Sequence, residues 1–165
     1  MSEILKIFRE NTYVTKEFND YLGLLVSGMS GDITATIVPA EADALEVTNA
    51  ELDAGYEFEV EVKIVNGDGK VLSFYNGELN VIVVNDSAAG TVAINEEDAG
   101  GAGANVNEDL KFSDGVLKFK VTTDGTWDNT ADDKIEITLD NADAKILGVS
   151  VKTENHKVLE AIANA

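Results

Sequence analysis

Residues 56–64 constrain the fold of this chain more than any other stretch. Apolar and charged side chains alternate there without a break, in the sequence YEFEVEVKI. Because successive side chains of a strand point to opposite faces, the alternation predicts a β-strand with one buried and one solvated face. Asn66-Gly67 and Asp68-Gly69 follow at once, and such pairs suit the positive φ angles of tight turns. The stretch therefore predicts a sheet that buries one of its faces.

Similar short stretches, separated by turn residues, continue along the chain. They lie at residues 33–38, 44–48, 79–84, 91–94, 110–112, 116–122, 135–139 and 146–151. About eight or nine short strands, spaced by roughly 8–14 residues, are typical of an all-β sandwich of two sheets.

The connecting segments carry more specific expectations. Residues 110–112 and 116–122 should form a hairpin-like pair around Asp114-Gly115, because Asp-Gly marks a tight turn. Residues 95–109 lack periodicity and are rich in glycine, so a long loop is expected there. In the segment 154–165, the spacing of the apolar residues Val158, Leu159 and Ile162 predicts a short helix.

Composition excludes several classes of function. With 12 basic and 31 acidic residues, the net charge is −19, so the chain lacks the basic footprint that nucleic acids and anionic membranes require. Cysteine is absent and His156 is the single histidine, which excludes thiolate chemistry, a His-centred triad and a multi-histidine zinc site within one chain. We therefore expect a protein that is not an enzyme. No apolar run has the length of a membrane span or of a signal-peptide core, which predicts a soluble protein made in the cytoplasm.

Residues 1–30 differ from the rest of the chain. They hold four acidic and three basic residues, a net charge of −1, and four aromatic residues. From Thr15 onwards, apolar residues recur at the spacing of one helix face, which predicts an amphipathic helix over residues 15–29. That face consists of Phe18, Tyr21, Leu22, Leu25, Val26 and Met29. A sandwich closes its core between two sheets, so we interpret this face as a partner-binding surface.

The chain is thus predicted to contain three parts. Residues 1–30 form a helical or extended arm for docking or oligomerisation, and residues 31–152 form the sandwich. Residues 153–165 form a C-terminal tail with the short helix.

One acidic loop, residues 124–133, is a candidate ligand site. Its carboxylates, Asp124, Asp128, Asp132 and Asp133, are hard oxygen ligands of the kind that Ca²⁺ prefers, although a solvated acidic loop is the simpler interpretation. Trp127, the single tryptophan, lies in the same loop. An exposed Trp between Asp and Asn residues can stack on a sugar ring, whereas a buried one caps the end of the sandwich. We favour the cap, and no other cofactor is expected.

Three segments carry a resemblance to a known family. They are the run AGYEFEVEV from residue 54, the turn NGDGKV from residue 66 and the step YNGELNV from residue 75. Together with Asp114-Gly115 and the pattern of residues 110–138, they resemble bacterial Ig-like domains over about residues 44–151. The turn departs from the family pattern, because Asn66 and Lys70 stand where Asp and Asn are usual. The resemblance implies an Ig-like two-sheet sandwich, in which residues 56–64 form strand B.

The family occurs in adhesins, surface enzymes, S-layer-like proteins and phage virions. A virion protein needs no export, so these features predict a phage structural protein, most simply a capsid decoration or cement protein. Its partners would be the major capsid protein, another virion protein or further copies of itself, for example in a trimer. It would be made in the host cytoplasm and reside in the virion. The alternative is a carbohydrate-binding or adhesion module of the bacterial cell surface that uses Trp127 and the loop 124–133. A calcium-dependent hydrolase ranks third.

Overall fold

The computed structural model describes residues 33–96, 98–127, 133–139, 145–146, 149–150 and 155–164. These residues form twelve strands, one short α-helix and one 3-10 turn at Glu41–Asp43. The strands are β1 Thr34–Val38, β2 Leu45–Thr48, β3 Glu57–Val65, β4 Glu78–Asn85, β5 Ala89–Ile94, β6 Asp98–Ala99, β7 Val106–Lys111, β8 Val116–Thr126, β9 Lys134–Leu139, β10 Lys145–Ile146, β11 Val149–Ser150 and β12 His156–Ile162. The helix, α1, spans Asn49–Asp53.

Ten of the strands form two five-stranded sheets. The first sheet has the order β1-β3-β8-β5-β6 and the second the order β2-β12-β9-β4-β7, while β10 and β11 pair separately. All neighbours within the two large sheets are antiparallel except β2 and β12, which run parallel. This architecture confirms the prediction of an all-β, two-sheet sandwich.

Strand β3, which contains most of the alternating stretch 56–64, lies between β1 and β8 in the first sheet, and β9 lies between β12 and β4 in the second. The edge strands are β1 and β6 in the first sheet and β2 and β7 in the second.

The two sheets bury their alternating apolar faces against each other. On β3, Phe58, Val60, Val62 and Ile64 are at most 7% exposed, whereas Glu57 and Glu59 are exposed. The second sheet contributes two further sets of buried residues, Leu79, Val81 and Val83 on β4, and Ile135, Ile137 and Leu139 on β9. Burying each such side chain stabilises the fold by about 1.5–3 kcal/mol before entropy is counted.

The C-terminal segment is a strand, so the predicted helix and the sandwich boundary at residue 152 are wrong. Strand β12 lies between β9 and β2 in the second sheet. Its register against β9 shifts between Lys157 and Leu159, which leaves Val158 as the extra residue of a β-bulge. Val158 and Leu159 are both fully buried as a result. The bulge therefore produces adjacent apolar residues, which imitate the spacing of a helix.

Two other local predictions also differ from the structure. Strands β7 and β8 do not pair as a hairpin, because β7 pairs with β4 and β8 pairs with β3 and β5 in the opposite sheet. The turn at Asp114-Gly115 therefore carries the chain from one sheet to the other. The expected loop 95–109 contains the short strand β6 and the first part of β7.

The bulged strand provides a test of the fold. We expect Leu159→Ala to lower the free energy of unfolding by about 2–4 kcal/mol, because it removes a fully buried side chain between the sheets. Denaturant unfolding measures the loss. Glu160→Gln, a change at the next residue, is the control and should stay within about 0.5 kcal/mol of the wild type. Equal, small effects of both changes would contradict the placement of β12 in the core.

Candidate functional site

The predicted partner-binding residues, Phe18, Tyr21, Leu22, Leu25, Val26 and Met29, lie outside the described residues. The structure therefore leaves the helical face of the arm as a prediction. The site that the structure does describe lies where α1, the ends of β5 and β8, and Trp127 meet.

Trp127 closes one end of the core. Its side chain is 1% exposed and belongs to the main hydrophobic cluster. The indole N–H donates to the carbonyl oxygen of Asp124 at 2.9 Å, and the backbone N–H donates to Oδ1 of Asp53 at 2.6 Å. This burial confirms the core-cap interpretation, and it leaves the ring without the exposed face that stacking on a sugar requires.

The ring of Trp127 depends on a glycine beneath it. A Cβ atom built on Gly90 would lie 2.3–2.7 Å from three atoms of the indole, so only glycine leaves the space that the ring occupies. Buried polar side chains hold this glycine in place, because Asn85 Nδ2 donates to its carbonyl at 2.8 Å and its N–H donates to Ser87 Oγ at 2.8 Å. The end of the sandwich is therefore a tightly packed corner.

Helix α1 anchors Trp127 from the other side. Thr48 and Glu51 form a capping box, in which Glu51 N–H donates to Thr48 Oγ1 and Thr48 N–H donates to Glu51 Oε2. The side-chain hydrogen bond with Thr48 lowers the pKa of Glu51. The prediction of the fold missed this helix, although the Thr-x-x-Glu spacing at residues 48–51 is a sequence signature of a helix N-terminus.

The four proposed calcium ligands are only partly within the described residues. Asp124 is exposed and its Oδ1 accepts from Gly125 N–H at 2.7 Å, whereas Asp133 is 5% exposed. Asp128 and Asp132 lie outside the described residues. Among the side chains that the structure describes, no three acidic or histidine groups converge on one point.

A small pocket opens on the outer face of the first sheet beside this corner. Its volume is about 310 Å³, and its lining comes from β5, β8 and the segments that follow α1 and β5. Polar groups line it at Thr91, Thr122, Glu96 and Asp124, and small residues such as Gly55 leave the space between them. Sequence reasoning missed Thr91 and Thr122, because no local motif marks residues that meet only when β5 and β8 pair.

Charged side chains continue along the same outer face. Lys120 on β8 forms an ion pair with Glu57 on β3 at 2.9 Å, and Lys118 pairs with Glu61 at 3.5 Å. Hydrogen bonds with Lys120 and then with Glu96 hold the pKa of Glu57 below its usual value. Hydrogen bonding to Glu57 raises the pKa of Lys120, and Glu96 and Glu59 add to the effect. The ion pair of Lys120 and Glu57 lies beside the pocket, because Glu57 is the register partner of the lining residue Thr122.

On the outer face of the second sheet, the carboxyl group of Glu136 is largely buried, unlike the exposed carboxyl groups of Glu57 and Glu59. The side chain of Glu136 on β9 is 14% exposed, and Lys134 Nζ lies 3.9 Å away. Burial, a hydrogen bond with Asp86 and the nearby charges of Asp86 and Glu41 raise the pKa of Glu136, and Lys134 offsets only part of this. The ionised form of Glu136 is therefore disfavoured in the folded protein.

Comparisons with known proteins do not assign the chain to a family. No protein-family model matches it, and no curated protein matches it. Within the described part of the chain, no helix has the length and apolar character needed to cross a membrane.

Gly90 provides a direct test of the Trp127 corner. We expect Gly90→Ala to lower the free energy of unfolding by at least about 2 kcal/mol and to shift the fluorescence emission of the single tryptophan to longer wavelength. The physical reason is the clash of the new methyl group with the indole ring. Gly101→Ala is the matched control, because a Cβ there meets nothing within 4 Å. An unchanged emission spectrum in Gly90→Ala would contradict the buried position of the ring.

Glu136 predicts a specific dependence of stability on pH. Because its folded pKa is raised above the ordinary value of 4.5, the folded protein binds more protons than the unfolded chain just above that value. Stability from this group is therefore lost as the pH rises through the folded pKa. Glu136→Gln should stabilise the protein at pH 7 by up to about 1 kcal/mol, since the amide is neutral and still donates to Asp86.

Thermal unfolding of this variant between pH 3 and pH 8 measures the effect. The advantage of the Glu136→Gln variant over the wild type should disappear at acidic pH, where Glu136 is itself protonated. Glu46→Gln removes the same charge from an exposed position and is the control for the net charge. A Glu136→Gln variant that matches this control at every pH would contradict the burial effect.

Proposed function

We propose that this protein is a structural protein of a phage virion, a capsid decoration or cement protein. In this proposal the sandwich is a scaffold that projects from the particle, and residues 1–30 attach it to the major capsid protein or to further copies of itself. The proposal includes a homo-oligomer, for example a trimer, held by the same arm.

One observation carries the proposal. The described hydrophobic core runs from Ile33 to Ala161 and joins the inner faces of both sheets with Trp127 at one end. Such a core draws most of its apolar surface from the strands themselves, which supports a role outside the sandwich for the apolar face predicted in residues 15–29.

The distribution of charge supports the same division of roles. Residues 1–30 carry a net charge of only −1 of the total of −19, so the remainder of the chain is strongly acidic. On the first sheet the outer face shows Glu57, Glu59 and Glu61 to solvent, in part paired with lysines. Like-charged surfaces repel each other and keep displayed domains and particles apart, whereas a near-neutral arm can approach an acidic neighbour.

A pair of variants within the arm tests this proposal. Leu25 lies on the predicted apolar face and Ser27 lies off it. We expect Leu25→Glu to weaken self-association and binding to capsids of the co-expressed major capsid protein by at least about tenfold, because it places a charge in a buried contact. Ser27→Glu adds the same charge and should change binding by less than about threefold.

Light scattering after size exclusion measures self-association, and co-sedimentation with capsids measures attachment. Circular dichroism of both variants establishes that the sandwich is intact. Equal binding by Leu25→Glu and Ser27→Glu would overturn the assignment of the partner-binding face. A wild-type chain that binds neither capsids nor further copies of itself would overturn the proposed function.

A further inference from the structure

The pocket on the outer face of the first sheet has the features of a binding site for a cationic group. Its volume of about 310 Å³ is at the lower end of the range of small-molecule sites. The acidic residues Glu96 and Asp124 and the threonines Thr91, Thr122 and Thr123 are among its lining residues. The pocket is therefore large enough for the end of a ligand and is lined by hydrogen-bond acceptors.

Charge around the pocket is unbalanced. The lining holds two acidic residues, Glu96 and Asp124, and no lysine or arginine, and the nearby Lys120 is paired with Glu57 at 2.9 Å. Glu57 is the register partner of the lining residue Thr122, so a third carboxylate lies beside the two of the lining, and like charges repel each other. A further positive charge in the pocket would relieve this repulsion, whereas an anionic ligand would increase it.

A hydroxyl group without a partner lies in the same wall. Oγ1 of Thr122 is enclosed and forms no hydrogen bond. Leaving a buried hydroxyl unpaired costs about 1–3 kcal/mol, so its retention needs a reason. Thr122 alternates with the inward-facing Val121 and Thr123, so its side chain lies on the outer face, where the pocket is. Rotation about its Cα–Cβ bond would be needed to bring the hydroxyl into the pocket, where the N–H of a ligand would satisfy it.

We propose that this pocket binds a guanidinium or ammonium group, with Glu96 and Asp124 as charge partners and Thr91 and Thr122 as hydrogen-bond acceptors. None of the ten lining residues is aromatic, which disfavours a sugar because sugar sites stack the ring on an aromatic side chain. The cation belongs to a small free amine or to the side chain of a basic residue on a partner protein. The proposal is independent of the arm and of attachment to a capsid.

Titration of the full-length chain with agmatine tests the proposal, followed by amide and indole resonances in NMR spectra. The single indole N–H donates to the carbonyl of Asp124, so its resonance reports on the pocket wall. We expect saturable shifts of this resonance and of the amides of Thr91, Thr122 and Asp124. N-acetyl-arginine amide, a mimic of a side chain on a protein, separates the two sources. Binding of agmatine alone indicates a small amine, and binding of the amide indicates a protein partner.

Three variants and one control sharpen the test. Glu96→Gln and Asp124→Asn keep the shape of each side chain, and Asn retains the oxygen that accepts from Gly125 N–H. Each should weaken agmatine binding by at least about tenfold, since each removes a charge-assisted hydrogen bond. Thr122→Val should weaken binding while leaving thermal stability equal or higher, because it removes the unpaired hydroxyl. Glu59→Gln removes a charge from the same sheet face outside the pocket lining and is the matched control.

Three results would overturn the proposal. The first is the absence of saturable binding by both cations below about 10 mM, a concentration at which even a weak site fills. The second is a loss of binding in Glu59→Gln equal to that in the lining variants, which would show a general attraction to an acidic surface. Equal or tighter binding of methyl glucoside than of agmatine would also contradict the assigned ligand class.

Discussion

The contact between the inner faces of the two sheets determines the rest of this structure. Phe58, Val60, Val62 and Ile64 on β3 supply one side of that contact, and the buried residues of β4 and β9 supply the other. Wherever the chain crosses from one sheet to the other, the next strand must place its apolar residues on this shared interior. The turns, the bulge in β12 and the Trp127 corner all follow from that requirement.

Alternation of apolar and polar residues made the sheets predictable from sequence. It located β3, β9 and β8 well, because each presents one face to the core and the other to solvent. It was less informative for β12, where the bulge at Val158 breaks the period of two and places two adjacent residues inside. Pairing was the hardest property to predict. The short turn at Asp114-Gly115 looked like a hairpin, yet it joins strands of opposite sheets.

The candidate sites were also only partly predictable from the sequence. Trp127 was recognisable as a core cap, because a lone tryptophan is more stable buried at the end of a sandwich than exposed. Gly90, Thr91 and Thr122 were not recognisable, since their importance arises from neighbours distant in sequence. Helix α1 was missed despite its capping box, because five residues give too short a pattern for periodicity. The arm, residues 1–30, remains a prediction from sequence.

The proposed function depends on the division of the chain into an acidic scaffold and a docking arm. A chain consisting of residues 31–165 tests it most directly, when compared with the full-length chain by circular dichroism, denaturant unfolding and light scattering. We expect the same β-rich spectrum and cooperative unfolding in both chains, together with loss of self-association and capsid binding in the shorter one. A shorter chain that fails to fold, or that assembles and binds capsids like the full-length chain, would contradict it.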